Sequence, residues 1–299
     1  MYHGVINVYK EAGFTSHDVV ARLRGICKQK KIGHTGTLDP DAVGVLPVCL
    51  GNATRLCDML TDRTKEYVAS FRLGIVTDTQ DLSGKVLESH TPDRDPQSVR
   101  QAVSSFVGDQ LQIPPMYSAL KVDGKRLYEL AREGKTVERK ARQITIYELE
   151  LLKEAHPDYT MRVCCSKGTY IRTLCHDIGQ KLGCGGVMTH LLRSRVGEFR
   201  AEDAYRLSEI QSFAEAGRLQ EILVPTENMF SQFMTLKVKD SGLKALQNGN
   251  KLFPSQVVWE KEPAAGQELR VYGKDGQFFG IYRYDAEEKL FSPVKMFFE

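Results

Sequence analysis

No run of about 18 uncharged apolar residues occurs in the 299-residue chain, so no membrane-spanning helix is expected. The opening MYHGVINVYKEAG has no basic start leading into an apolar core, so no secretory leader is expected either. There is no C-x-x-C pair and no His-x-x-x-His spacing, which argues against a zinc site. No G-x-G-x-x-G follows a strand-like run, and H-E-x-x-H and G-x-S-x-G are absent. Gly134-Lys135-Thr136 fails as the end of a P-loop because the required first glycine falls on Glu129. Nothing points to redox, pyridoxal or metal-hydrolase chemistry, and no cofactor is expected.

What is present reads as a folded protein. Hydrophobic residues make up 41% and charged residues 26%, enough apolar material to exclude a disordered chain. The length suits two domains. The seven cysteines are an odd number and scattered, as in a reducing cytoplasm, and they read as small buried hydrophobes. A net charge of +3 permits a polyanionic partner without requiring one, so the distribution of charge matters more than the sum. Residues 22–31 carry Arg22, Arg24, Lys28, Lys30 and Lys31 with no acid, and residues 121–142 carry eight bases against four acids. Arg193, Arg195 and Arg200 form a third cluster. Each could be a solvated face, but three clusters beside Gly-rich segments favour phosphate contacts.

Periodicity predicts a strand over 3–9 and a helix over 16–28, opened by Thr15 and Asp18 in capping-box spacing. Strands are expected over 66–73, 143–152 and 159–166. Helices are expected from Asp95-Pro96, over 127–134, over 170–182 and over 206–224. Residues 33–47 (GHTGTLDPDAVGVLP) read as one long irregular segment, either functional or misassigned. After about 231 a short helix and strand-like runs about an Asp275-Gly276 turn suggest a small β-rich domain.

The chemistry concentrates in Gly33-His34-Thr35-Gly36-Thr37-Leu38-Asp39-Pro40-Asp41. The proline after Asp39 restricts that residue to extended backbone and helps aim it. A rigid loop carboxylate serves as nucleophile, base, metal ligand or simple turn residue. Asp39-Pro40-Asp41-Ala42-Val43 also fits the D-x-D pattern of haloacid-dehalogenase-type phosphatases, but it lacks the apolar strand they need directly before the first aspartate.

The segment closely resembles the GHTGTLDP signature of the bacterial tRNA pseudouridine synthase B family, extending through Gly44-Val45-Leu46-Pro47 and Ala53-Thr54-Arg55-Leu56. Lys65-Glu66-Tyr67 with Thr77-Asp78-Thr79-Gln80-Asp81 is similar to that family's tyrosine motif. Pro114-Pro115-Met116-Tyr117-Ser118-Ala119 resembles its next signature, and Ser166-Lys167-Gly168-Thr169-Tyr170-Ile171-Arg172 its arginine motif. Five motifs in order cover most of residues 4–200. The first departs from the family's Asp-Lys-Pro opening, reading Tyr9-Lys10-Glu11.

The resemblance implies isomerisation of uridine to pseudouridine at position 55 in the T-arm of tRNA, on a flipped-out base. It implies Asp39 as nucleophile, Arg172 as the cation that positions it and Tyr67 as a stacking platform whose hydroxyl could move a proton. It further implies substrate contacts from His34, Tyr170 and Leu191. Taken alone, Tyr67 is a half-buried strand tyrosine, His34 a turn histidine and Leu191 a core residue. The implied fold is α+β. A mixed, largely antiparallel sheet of the pseudouridine synthase type, with flanking helices, spans residues 1–230. A small PUA-like β-barrel that binds RNA spans 231–299. The expected state is a cytoplasmic monomer acting on tRNA, with no membrane and no protein partner. The alternatives are a non-catalytic RNA-binding or RNA-folding protein, and a synthase of the same family acting on another RNA.

Overall fold

A computed structural model describes residues 1–92 and 95–298. The main sheet runs in the order Gly4–Lys10, Val43–Leu50, Gly186–Val196, Lys65–Leu73, Asp158–Cys165, Arg142–Ala155, Gly108–Gln112. Ile32–His34 pairs on Val43–Leu50, and Phe199–Arg200 on Gly186–Val196. All of its pairings are antiparallel except that of Gly186–Val196 with Val43–Leu50, through Leu192–Val43 and Arg193–Gly44. The expected mixed sheet is therefore present.

Its central strand, Lys65–Leu73, alternates strictly, burying Lys65, Tyr67, Ala69, Phe71 and Leu73 on one face. The helix Ile171–Lys181 covers that face with Ile171, Leu174, Cys175 and Ile178. On the other side of the molecule the helix Ser16–Cys27 buries Val19, Val20, Leu23 and Cys27 against Gly4–Lys10 and Val43–Leu50. Its capping box at Thr15 and Asp18 is formed as the sequence predicts, and Lys28 ends it at φ 50°.

Two expected elements change. Both ends of residues 33–47 are ordered into strands: Ile32–His34 and Val43–Leu50 leave 35–42 as loop. Pro47 sits inside a buried strand without breaking it. Its pairing with Asn7 is on one side, and its carbonyl points to the other, where it accepts from Thr35 N and Oγ1 at 3.2 and 3.1 Å. Its missing N–H thus falls in the gap between two neighbouring strands, where no ladder bond is lost. The expected helix 206–224 stops at Glu215, because Gly217 turns at φ 71°, and a 3-10 turn resumes at Leu219–Ile222.

The tail forms a second sheet in the order Val257–Val258, Met234–Val238, Glu268–Tyr272, Phe278–Asp285, Leu290–Met296. This ladder is open rather than the closed barrel expected, since its edge strand Val257–Val258 has only two residues and pairs with Met234–Val238 alone. A single bridge, Leu252 to Phe291, attaches the chain just before that strand to the opposite edge. The tail shares a core with the main sheet: Phe278, Ile281 and Phe297 pack with Val5, Val45, Cys49 and Leu56 around Phe230.

Candidate active site

The loop 35–42 is pinned from four directions. Thr35 bonds Pro47, as above, and its carbonyl accepts from Thr61 Oγ1 at 2.9 Å. Leu38 N donates to the buried Ser16 Oγ at 2.9 Å. The Pro40 carbonyl accepts from Gly13 N at 3.1 Å and from Lys10 Nζ at 2.8 Å. Ala42 N closes the turn onto the Asp39 carbonyl at 3.1 Å. The carboxylate therefore stands on a fixed backbone, the condition for a preorganised reagent.

Arg172 grips that carboxylate at two points, Nε to Oδ2 at 3.0 Å and Nη2 to Oδ1 at 3.1 Å. The guanidinium is 6% exposed, whereas Asp39 keeps 38%, so the carboxylate remains open to a ligand while its partner does not. The other donors of Arg172 reach the Thr79 carbonyl at 3.0 Å and the Tyr117 carbonyl at 2.8 Å. Asp81 stands 3.5 Å away as a second counter-charge. Burial pushes the Asp39 carboxyl above its ordinary value, with Asp81 adding to the rise, and the Arg172 and Lys10 charges hold it down.

Of the other expected residues, Tyr67 and Tyr170 feel the charge of Asp39. Tyr67, Leu38 and Leu191 share one apolar cluster, with Leu191 opposite Ala69 on the neighbouring strand. Burial raises the Tyr67 phenol, and Asp39 contributes to that rise. Tyr170 caps the helix Ile171–Lys181, its backbone clamped on both sides by the Gln112 amide at 2.8 and 3.1 Å. His34 ends its strand with Nδ1 accepting from Gly36 N at 3.3 Å and its ring edge-on to His17 at 5.2 Å. Burial lowers its pKa, so the ring is neutral at pH 7.

The third basic cluster does not survive. Arg193 is buried and its Nε donates to the Val45 carbonyl at 2.7 Å, so it cannot meet a surface phosphate. Arg195 pairs with Glu66 at 3.5 Å, and only Arg200 is well exposed. Alternation explains this: Arg193 lies on the inward face of Gly186–Val196, a register that a list of charges does not reveal. Sequence reasoning passed over Lys10, Ser16 and Asp81 as site residues, although Lys10 and Asp81 lie in the quoted motifs. A lysine closing the apolar run GVINVY was the available signal. Tyr9 and Glu11, the departures from the family's opening, both engage Arg206, whose guanidinium lies 5.1 Å from the Tyr9 ring and 2.7 Å from the Glu11 carboxylate.

A family model described as TruB family pseudouridylate synthase (N terminal domain) matches residues 24–171. A second, described as tRNA pseudouridylate synthase B C-terminal domain, matches residues 172–231. The tRNA pseudouridine synthase B of Lachnoclostridium phytofermentans is 50% identical, covering 99% of each chain. That of Clostridium perfringens (strain SM101) is 45% identical, again over 99% of each.

The chain belongs to the TruB family.

This TruB protein is thus a pseudouridine synthase, an isomerase. Membership overturns the phosphatase reading. Asp39 sits in a loop, five residues beyond the short strand Ile32–His34, and not at the end of an apolar strand. Among solved structures, a Cbf5-Nop10-Gar1 complex matches with TM-score 0.74 and 28% identity, covering 99% of this chain and 85% of that one. An H/ACA RNP bound to a substrate RNA containing 2′-deoxyuridine matches with TM-score 0.73 and 26% identity, covering 99% and 86%. Both likenesses run over 99% of this chain.

Proposed function

We propose that this protein isomerises uridine to pseudouridine at position 55 in the T-arm of tRNA, using Asp39 as nucleophile on a flipped-out base. The observation that carries the reading is the two-point grip of Arg172 on a partly open Asp39, within a loop fixed on both sides. The reaction breaks the bond between ribose C1′ and uracil N1, turns the ring and forms a C1′–C5 bond. The hydrogen at C5 leaves as a proton and N1 takes one up, so no electron acceptor is needed. An ionised carboxylate can form the ester such a step requires, whether it meets the ribose or the uracil ring. Arg172 keeps it ionised and aimed. Tyr67 offers its ring to the extruded base, with Leu191 and Tyr170 lining the same site and His34 filling the loop side.

The 121–142 segment supplies phosphate contacts: Lys125 and Lys135 are well exposed there. The tail acts as a PUA-like RNA-holding module within residues 231–299, and its open ladder with a single cross-bridge is compatible with a partly closed barrel.

Release of tritium from a tRNA transcript bearing 5-tritiated uridine tests the reading. The wild type should release one equivalent per tRNA, none from a transcript lacking the T-arm uridine, and Asp39→Asn should release none while still binding. Tight tRNA binding with no release by folded wild type would favour a non-catalytic RNA-binding protein instead. Release from a different RNA only would move the substrate, not the chemistry.

A further inference from the structure

Arg193 is among the largest fully buried side chains of the protein, yet what favours its charge is a phenol rather than a carboxylate. A buried guanidinium so poorly compensated is costly and needs a reason. Its Nε is spent on the Val45 carbonyl, and its Nη2 has no hydrogen-bond partner. The group faces the loop that holds Asp39, since a Cβ at Gly36 would lie 3.7 Å from Nη1. Directly across the antiparallel pairing stands Tyr67, itself buried, and it is this phenol that favours the guanidinium charge.

A guanidinium only donates, so toward Arg193 the Tyr67 oxygen can act only as an acceptor. Burial keeps the phenol protonated at neutral pH. Its one O–H is then left to point away from Arg193, and the phenol is electrostatically coupled to Asp39. We propose that Arg193 is a positioning residue that makes Tyr67 a hydrogen-bond donor to the uracil as it departs from the ribose. This rests on the synthase reading above. When the C1′–N1 bond breaks, its electron pair stays on the uracil and spreads over N1 and the two carbonyl oxygens. A phenol O–H polarised from behind by a cation supports that charge, and no proton moves in this step. The charge is discharged when the pair is used to form the C1′–C5 bond. Arg193 touches neither the base nor the ribose; it acts through Tyr67.

The test compares wild type, Arg193→Gln and Arg193→Lys by single-turnover tritium release at saturating enzyme, by tRNA affinity, and by ¹³Cζ-tyrosine NMR. The Tyr67 resonance is assigned from its loss in Tyr67→Phe. Arg193→Gln should lower the saturated rate about tenfold or more, toward the loss typical of removing a transition-state donor, with affinity changed less than about threefold. It should also shift the Tyr67 resonance, and Arg193→Lys should recover part of both. A rate loss with the Tyr67 resonance unmoved would overturn the proposal, as would weakened tRNA binding at an unchanged saturated rate, which would make Arg193 a support of the binding surface and not of the chemistry. If neither variant folds by circular dichroism, Arg193 serves the fold and the assignment falls. A wild type that releases no tritium would sink the synthase reading instead, and the NMR comparison would still report whether Arg193 reaches the phenol.

Discussion

On the proposed reading Asp39 reacts as its anion, and its surroundings make charging harder than in water. Its acid limb should therefore lie above the free carboxylate value of 3.8. A saturated rate that falls with pH, bending above that value, is the expected profile in single-turnover measurements from pH 4 to 8. Lys10 carries the opposite tension. Its ammonium is buried, and its pKa falls from 10.5 to about 8, chiefly through burial. Below pH 8 both folded and unfolded chains hold that proton, and the burial cost is fully present. Between about 8 and 10.5 only the unfolded chain holds it, so this group makes stability rise with pH across that window. The gain is at most about 3 kcal/mol. Urea unfolding at pH 7.5 and 9.5 should show it in wild type and lose it in Lys10→Met. The motifs that hold Asp39, Tyr67 and Arg172 were legible because they are local strings. The carbonyls of Thr79 and Tyr117 that seat Arg172 were not, because a main-chain acceptor leaves no mark on residue identity.

At the scale of elements, the helices with clear apolar periodicity were legible: Ser16–Cys27 and Ile171–Lys181 fall within a residue or so of expectation. The loop 33–47 was misjudged because glycine and proline were weighed without knowing which side of a strand is paired. Gly44 shows what such residues do there. It lies at φ 107°, and a Cβ on it would come within 2.3 Å of the Arg193 carbonyl oxygen. The close parallel pairing of Val43–Leu50 with Gly186–Val196 depends on that missing atom. Gly44→Ala should cost more than about 2 kcal/mol in urea unfolding, with loss of activity in proportion to the unfolded fraction. A stable Gly44→Ala protein would mean that the two strands can part without harm.

Over the whole molecule, a change of texture near residue 231 was legible, but the core shared across it was not. Phe297 and Phe278 cover Val5 and Val45, so cutting the chain there would bare part of the main sheet as well as remove the tail. The role of the tail is better probed by surface charge than by truncation. The segment 121–142 offers a cleaner electrostatic test: replacing Lys121, Lys125 and Lys135 with Gln should flatten the plot of log affinity for tRNA against log salt by about one unit per lost phosphate contact. An unchanged slope would remove that surface from the interface. The guanidinium of Arg172, finally, is a meeting point of chain segments that lie 133, 93 and 55 residues from it in sequence. Such long-range contacts are costly to close and form late. A chain that has folded everything except one of these segments keeps its helix and its sheet but has no reagent. The seat of Asp39 therefore exists only where three loops far apart in sequence coincide.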